Sequence, residues 1–201
     1  MKSLNYILLL IIVAMCCIGA CRKPIPPKPF FPLDEEMRAY FAVPDSGSWY
    51  VYQDSASGVF DTMRVTNRGN NSGAPLPFIG EGYMIIYECS RNHRMRADVR
   101  TYEDYYAFDV SYPAGGGHYI RKEKGGEGFT AHEKVTVLDS LILSGETYYD
   151  VLQSEERTSF LGTFTKLWFA KDIGIIKKHV IGGGGGPDSV FYLVDLSLIK
   201  P

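Results

Sequence analysis

The chain has 201 residues, with 21 Lys and Arg against 23 Asp and Glu, for a formal charge of −2. Hydrophobic residues make up 45 % of it, enough for a packed core, so wholesale disorder is excluded. The near-neutral balance supplies no basic surface for phosphates, so nucleic acid is not an expected partner.

Behind Lys2, residues 4–20 are almost unbroken hydrocarbon, the charged-then-apolar order of a secretory signal. This stretch barely spans a bilayer, for which about 20 apolar residues are usual. Ile18-Gly19-Ala20-Cys21 ends it: an aliphatic residue, two small ones, then cysteine. That tetrad resembles the bacterial lipobox. The resemblance implies a signal peptide over 1–20 and Cys21 as the acylated (palmitate-type) first residue of the mature chain. Cys16 and Cys17 then leave with the signal, so Cys89 is the thiol that remains and no internal disulfide is expected. Arg22 stands where an Asp would signal inner-membrane retention, which points to the outer membrane. No acidic cluster follows the cysteine, so the periplasmic side is favoured, with the cell surface as the alternative.

Five of the 11 prolines fall between Pro24 and Pro32. Proline fixes φ and donates no hydrogen bond, so 21–33 reads as an extended tether and 34–201 as one domain. The domain opens with a short helix: Asp34 caps it, Met37, Tyr40 and Phe41 share a face, and Pro44 ends it. Beyond it the pattern has period two. Strands are predicted over 49–53, 59–66, 83–89, 95–100, 105–112, 119–122, 129–138, 147–153, 163–170, 175–181 and 189–199. Turn residues recur every 8–12 positions, and no helical pattern alternates with the strands. The fold class is therefore mostly β: an antiparallel meander curling into a barrel or half-barrel, with a β-sandwich as the alternative.

Catalytic motifs are sparse. The run Gly182–Gly186 lacks the Lys-Ser/Thr ending of a phosphate loop, and no Gly-x-Ser-x-Gly elbow occurs. His93, His118, His132 and His179 are scattered, so neither a metal nor a cofactor is expected. The aromatic density stands out. Tyr83, Tyr87, Tyr105, Tyr106 and Tyr112 could stack on sugar rings or line an apolar pocket, though aromatics also simply favour strands. Arg91, Arg94 and Arg96 form a second group, able to contact an anion or to solvate an outer strand face. Finally, five of the 12 Asp residues precede Ser or Thr. At Ser55, Thr62, Ser140 and Ser189 an apolar residue follows, a pattern that resembles the O-glycosylation motif of exported Bacteroidota proteins. The competing account is local hydrogen bonding by Asp and Ser at turns.

Trp49-Tyr-Val-Tyr52, Gly145-x-x-Tyr148 and Phe169-Ala170-Lys171-x-Ile173-Gly174-Ile175-Ile176-Lys177 are similar to segments of uncharacterised Bacteroidota lipoproteins. The resemblance implies a β-rich envelope domain and carries no functional residues. The expected function is a non-enzymatic binding or assembly module for a partner protein, glycan or apolar ligand. An envelope glycan hydrolase and a structural subunit of an outer-membrane complex are the alternatives.

Overall fold

Alternation along β2 (Trp49–Asp54) sets the pattern of the whole molecule: Tyr50 and Tyr52 are buried, while Trp49, Val51 and Gln53 are less so. The computed structural model describes residues 28–41, 44–70, 79–89, 94–111, 117–131, 134–157, 164–180 and 189–199. The lipobox and the first prolines of the tether lie outside them, as do Arg91, Tyr112, His93 and His132.

The remaining elements are β1 (Phe30–Phe31), α1 (Glu35–Phe41), β3 (Phe60–Asn70), β4 (Ile79–Gly80), β5 (Gly82–Cys89) and β6 (Arg94–Thr101). They continue with β7 (Tyr105–Ser111), β8 (Gly117–Glu123), β9 (Thr130–Ala131), β10 (Lys134–Leu143) and β11 (Glu146–Arg157). The last three are β12 (Phe164–Ala170), β13 (Gly174–Val180) and β14 (Ser189–Ser197). Twelve strands form one antiparallel sheet in the order β10-β11-β12-β13-β14-β2-β3-β5-β6-β7-β8-β9. The last long strand thus pairs with the first, and the sheet curls into a nearly closed barrel rather than a sandwich. Its two edges, β9 and β10, are consecutive in sequence. Across that seam, His118 of β8 reaches Ser154 of β11, Nδ1 to Oγ at 3.1 Å.

Three sequence expectations are refined. The predicted strand 129–138 is divided: β9 ends at Ala131 and β10 begins at Lys134, and the two pieces supply the two edges of the sheet. Near the C-terminus, a bulge between Leu193 and Asp195 inserts one residue into the ladder. It flips the alternation, so Phe191 and Leu193 are buried while Val194 is exposed. Phe30 and Phe31, counted above with the tether, pair in parallel with Ile79 and Gly80, and Leu33 is part of the core.

Helix α1 plugs one end of the barrel. Asp34 Oδ1 accepts from the backbone N–H of Glu36 (3.0 Å) and Met37 (3.1 Å), the cap anticipated from sequence. Lys122 of β8 ties the same turn to the wall, with Nζ 3.0 Å from Asp34 and 2.8 Å from Glu36. The apolar face then enters the interior: Phe41 stacks on Phe108 (4.1 Å between centroids) and meets Phe169 edge-on. Following the strands gives the barrel two distinct ends. At the helix end lie β1, α1, the turn 171–173 and the β10–β11 hairpin turn. At the opposite end, the loop end, lie the turn 55–59 after β2 and the C-terminal ends of β5, β7, β9, β11 and β13.

Inside is apolar and outside is charged. Buried aromatic and aliphatic side chains from the strands and α1 fill the interior, while Arg64, Arg94, Arg96 and Asp109 face outward in solvent. A barrel that spans a membrane has the reverse pattern, with an apolar outer belt.

Candidate functional site

Two groups of polar side chains stand apart from the ordinary ladder, one inside the barrel and one on its outer wall. The inner group lies toward the loop end. Lys178 of β13 reaches across the interior to Asp61 of β3, Nζ to Oδ2 at 2.6 Å, although β14 and β2 separate the two strands in the sheet. Its ammonium also lies 4.5 Å from the Tyr52 ring centroid and 5.0 Å from that of Phe191. Cys89, paired with Met63 beside this cluster, is half-buried. Burial pushes its thiol up, against the pull of Lys178, so it is held as the unreactive thiol. The Tyr52 hydroxyl donates to the Ile175 carbonyl (2.8 Å) and the Tyr50 hydroxyl to that of Ile173 (3.0 Å), so both rings cross-brace the sheet. Close to the seam, His118 is only 1 % exposed. Burial lowers its pKa to about 3, keeping the ring neutral. Among the described residues its Nε2 has no hydrogen-bond partner.

These inner groups are occupied with one another or sealed from water. They tie the barrel wall together from within.

The outer group is built by register. Across β6, β7 and β8, Asp98 stands opposite Asp109, which stands opposite Tyr119; the next row is Arg100, Ala107, Arg121. Residues directly opposite on antiparallel strands share a face, so six side chains form two adjacent outward rows. Tyr102 and Tyr105 extend the patch, with their rings stacked at 4.5 Å and 13°. The Arg121 guanidinium lies 3.9 Å from the Tyr105 centroid and its Nη2 lies 2.6 Å from Glu123. Arg96 grips Asp98 with two bonds (Nε–Oδ2 2.6 Å, Nη2–Oδ1 3.1 Å), and Arg100 adds a third at 3.2 Å. Burial pushes the Asp98 carboxyl up, but the arginine hydrogen bonds outweigh it and hold the group below the usual carboxylate range. Burial, reinforced by Tyr105, raises Tyr119 to about 12, so its hydroxyl stays a neutral donor.

The tyrosines singled out from sequence do not gather in one place. Tyr87 is core, whereas Tyr83 and Tyr106 pack against its margin. Tyr83 donates to Glu81 and lies beneath Arg68, 4.3 Å from its centroid. Tyr105 is the one that reaches the outer patch, and Tyr112 falls outside the described residues. Of the arginines, Arg96 belongs to the patch but is committed to Asp98; Arg94 is exposed opposite Glu88. Tyr102, Tyr119 and Arg100 belong to the tyrosine-dense and arginine-rich stretches of the sequence, whereas Arg121 escaped sequence reading. The parity of β8 places Tyr119 and Arg121 on one face, yet their juxtaposition with Tyr105 follows from hairpin register, which local pattern does not specify. Of the possible glycan acceptors, Ser55 and Ser140 are exposed, while Thr62 and Ser189 are half-buried. Among the described residues no three His, Cys, Asp or Glu come together in a way that could hold a metal ion.

No family model matches the chain, and no curated protein matches it in sequence. Among solved structures, it is similar to a candidate exported protein of Bacteroides fragilis with a YmcC-like fold. Identity is 13 %, the TM-score is 0.41, and the match covers 79 % of this chain and 99 % of that one.

Proposed function

We propose that the chain is a lipid-anchored envelope protein, held at the outer membrane through Cys21, whose barrel acts as a non-enzymatic binding or assembly module. The observation that carries this reading is the outer face of β6–β8, where Tyr119, Arg100 and Arg121 stand in two adjacent rows beside the stacked rings of Tyr102 and Tyr105. Such a face offers flat π-surfaces and directional hydrogen bonds to a protein or glycan partner. The interior supports the same reading, because the barrel's own side chains occupy the volume that an apolar ligand would take. The lipobox supports the anchor and its compartment.

A glycan hydrolase would use two carboxylates, and Asp98 and Asp109 do oppose one another. However, Asp98 is taken up by three hydrogen bonds from Arg96 and Arg100, so this carboxylate is committed within the protein. The arrangement favours recognition over bond cleavage.

Photocrosslinking in intact cells tests the binding face. A benzophenone side chain at Tyr105 is expected to form adducts with a partner, while the same group at exposed Val194 on β14 forms none. Equal adducts from both positions, or none from Tyr105, would remove the face from the account.

A further inference from the structure

Exposed apolar side chains at the helix end suggest where the molecule rests. Pairing between β11 and β12 begins at Leu152, so residues 146–151 have no partner on that side. With residues 138–143 of β10 they run on past the turn 171–173 as a two-stranded arm, closed by Ser144 (φ 50°) and Gly145 (φ 86°). The arm folds over α1: Leu143 and Tyr148 are buried in the core, and the Tyr40 hydroxyl donates to the Asp150 carbonyl. Its other face is bare. Ile142 opposes Thr147 and Ser140 opposes Tyr149, so Ile142 and Tyr149 are diagonal neighbours on that face. They are 68 % and 70 % exposed, the two largest such values among the described large apolar side chains. Phe30, 60 % exposed, and Ile199 lie at the same end.

The chain also enters the barrel at this end, through Phe30. Eight residues lie between Cys21 and Phe30, and the nine steps at about 3.1 Å each reach on the order of 28 Å. β3 alone, with 11 residues, runs roughly 35 Å at about 3.3 Å per residue. Bringing the loop end to the bilayer would therefore need the leash drawn taut along the barrel wall, whereas the helix end reaches it with slack. We propose that the helix end is the face on which the anchored barrel rests against the phospholipid surface, with Phe30, Ile142 and Tyr149 dipping into the headgroup boundary. This inference rests on the lipid-anchor reading above. Aromatic and aliphatic side chains suit that boundary. Several cations at this end are already engaged: Arg38 with Glu81, Lys122 with Asp34 and Glu36, Lys171 with Asp150, and Lys124 over the Phe31 ring at 3.9 Å. Seating therefore needs no anionic lipid, and the outer face of β6–β8 stands upright beside the membrane, open to a partner.

The test uses the full lipidated chain reconstituted into vesicles of phosphatidylethanolamine and phosphatidylglycerol with brominated acyl chains. Tryptophan replaces exposed residues at either end: Ile142→Trp and, separately, Tyr149→Trp at the helix end, Phe60→Trp at the loop end. Beyond the native tryptophan background, both helix-end variants are expected to lose about twofold more fluorescence than Phe60→Trp, because only they sit at the lipid boundary. The loss should be unchanged in phosphatidylethanolamine–phosphatidylcholine vesicles. Equal quenching at the two ends overturns the seating and leaves the anchor standing. A chain that fails to float with the vesicles overturns both.

Discussion

At His118 an imidazole has been taken out of water with one nitrogen on Ser154 and the other without a hydrogen-bond partner among the described residues. Burial lowers its pKa from 6.5 to about 3, so the unfolded chain binds a proton that the folded barrel refuses. Its contribution is complete above about pH 6.5 and is lost as the pH falls toward the folded value. Asp34, Glu81 and Asp98 are also lowered, but from carboxylate values, so their loss comes at lower pH. Over the interval from about pH 6.5 to 4.5 the histidine dominates, and the linkage amounts to about 2–3 kcal/mol. Urea unfolding across that interval should show this loss in the wild type and a much smaller one in His118→Leu. Parallel pH dependence in the two proteins would refute the assignment.

Single elements show which features local sequence controls. Helix α1 was legible because its cap, its acidic first turn and its buried face all fall within eight residues. Replacing Asp34 by Ala removes the acceptor for two backbone N–H groups and one anchor of Lys122. It is expected to lower stability by about 1–2 kcal/mol in denaturant unfolding. A change of only a few tenths would mean that Glu36 alone can hold Lys122 and the helix start. The long strands were equally legible, since alternation over six or more residues has no competing explanation. The two-residue strands β1 and β4 were not: Phe30-Phe31 and Ile79-Gly80 are too short to show a period, and they exist because a distant segment pairs with them. The bulge at Leu193–Asp195 was hidden for the same reason: it shows only in the pairing of β14 with β2, and it turns Val194 outward while Leu196 and Leu198 still pack against the core. The outer patch was half-visible. Tyr105, Tyr119 and Arg96 stand out by density and charge, while Arg121 joins them only through hairpin register.

For the whole molecule, the account joins three features: a barrel with an apolar interior and a charged wall, a helix that stoppers the end where the chain enters, and a proposed lipid leash. Together they support the proposal that a partner is met on the outer wall. The most direct measurement is capture from detergent-solubilised envelopes, with the lipid intact, comparing the wild type with the double variant Tyr105→Ala, Arg121→Ala. Both substitutions lie on the outer wall, so the fold should survive, as unchanged unfolding midpoints would verify. The account predicts a specific protein or glycan with the wild type that is lost with the variant. The same partner retained by the variant would contradict it.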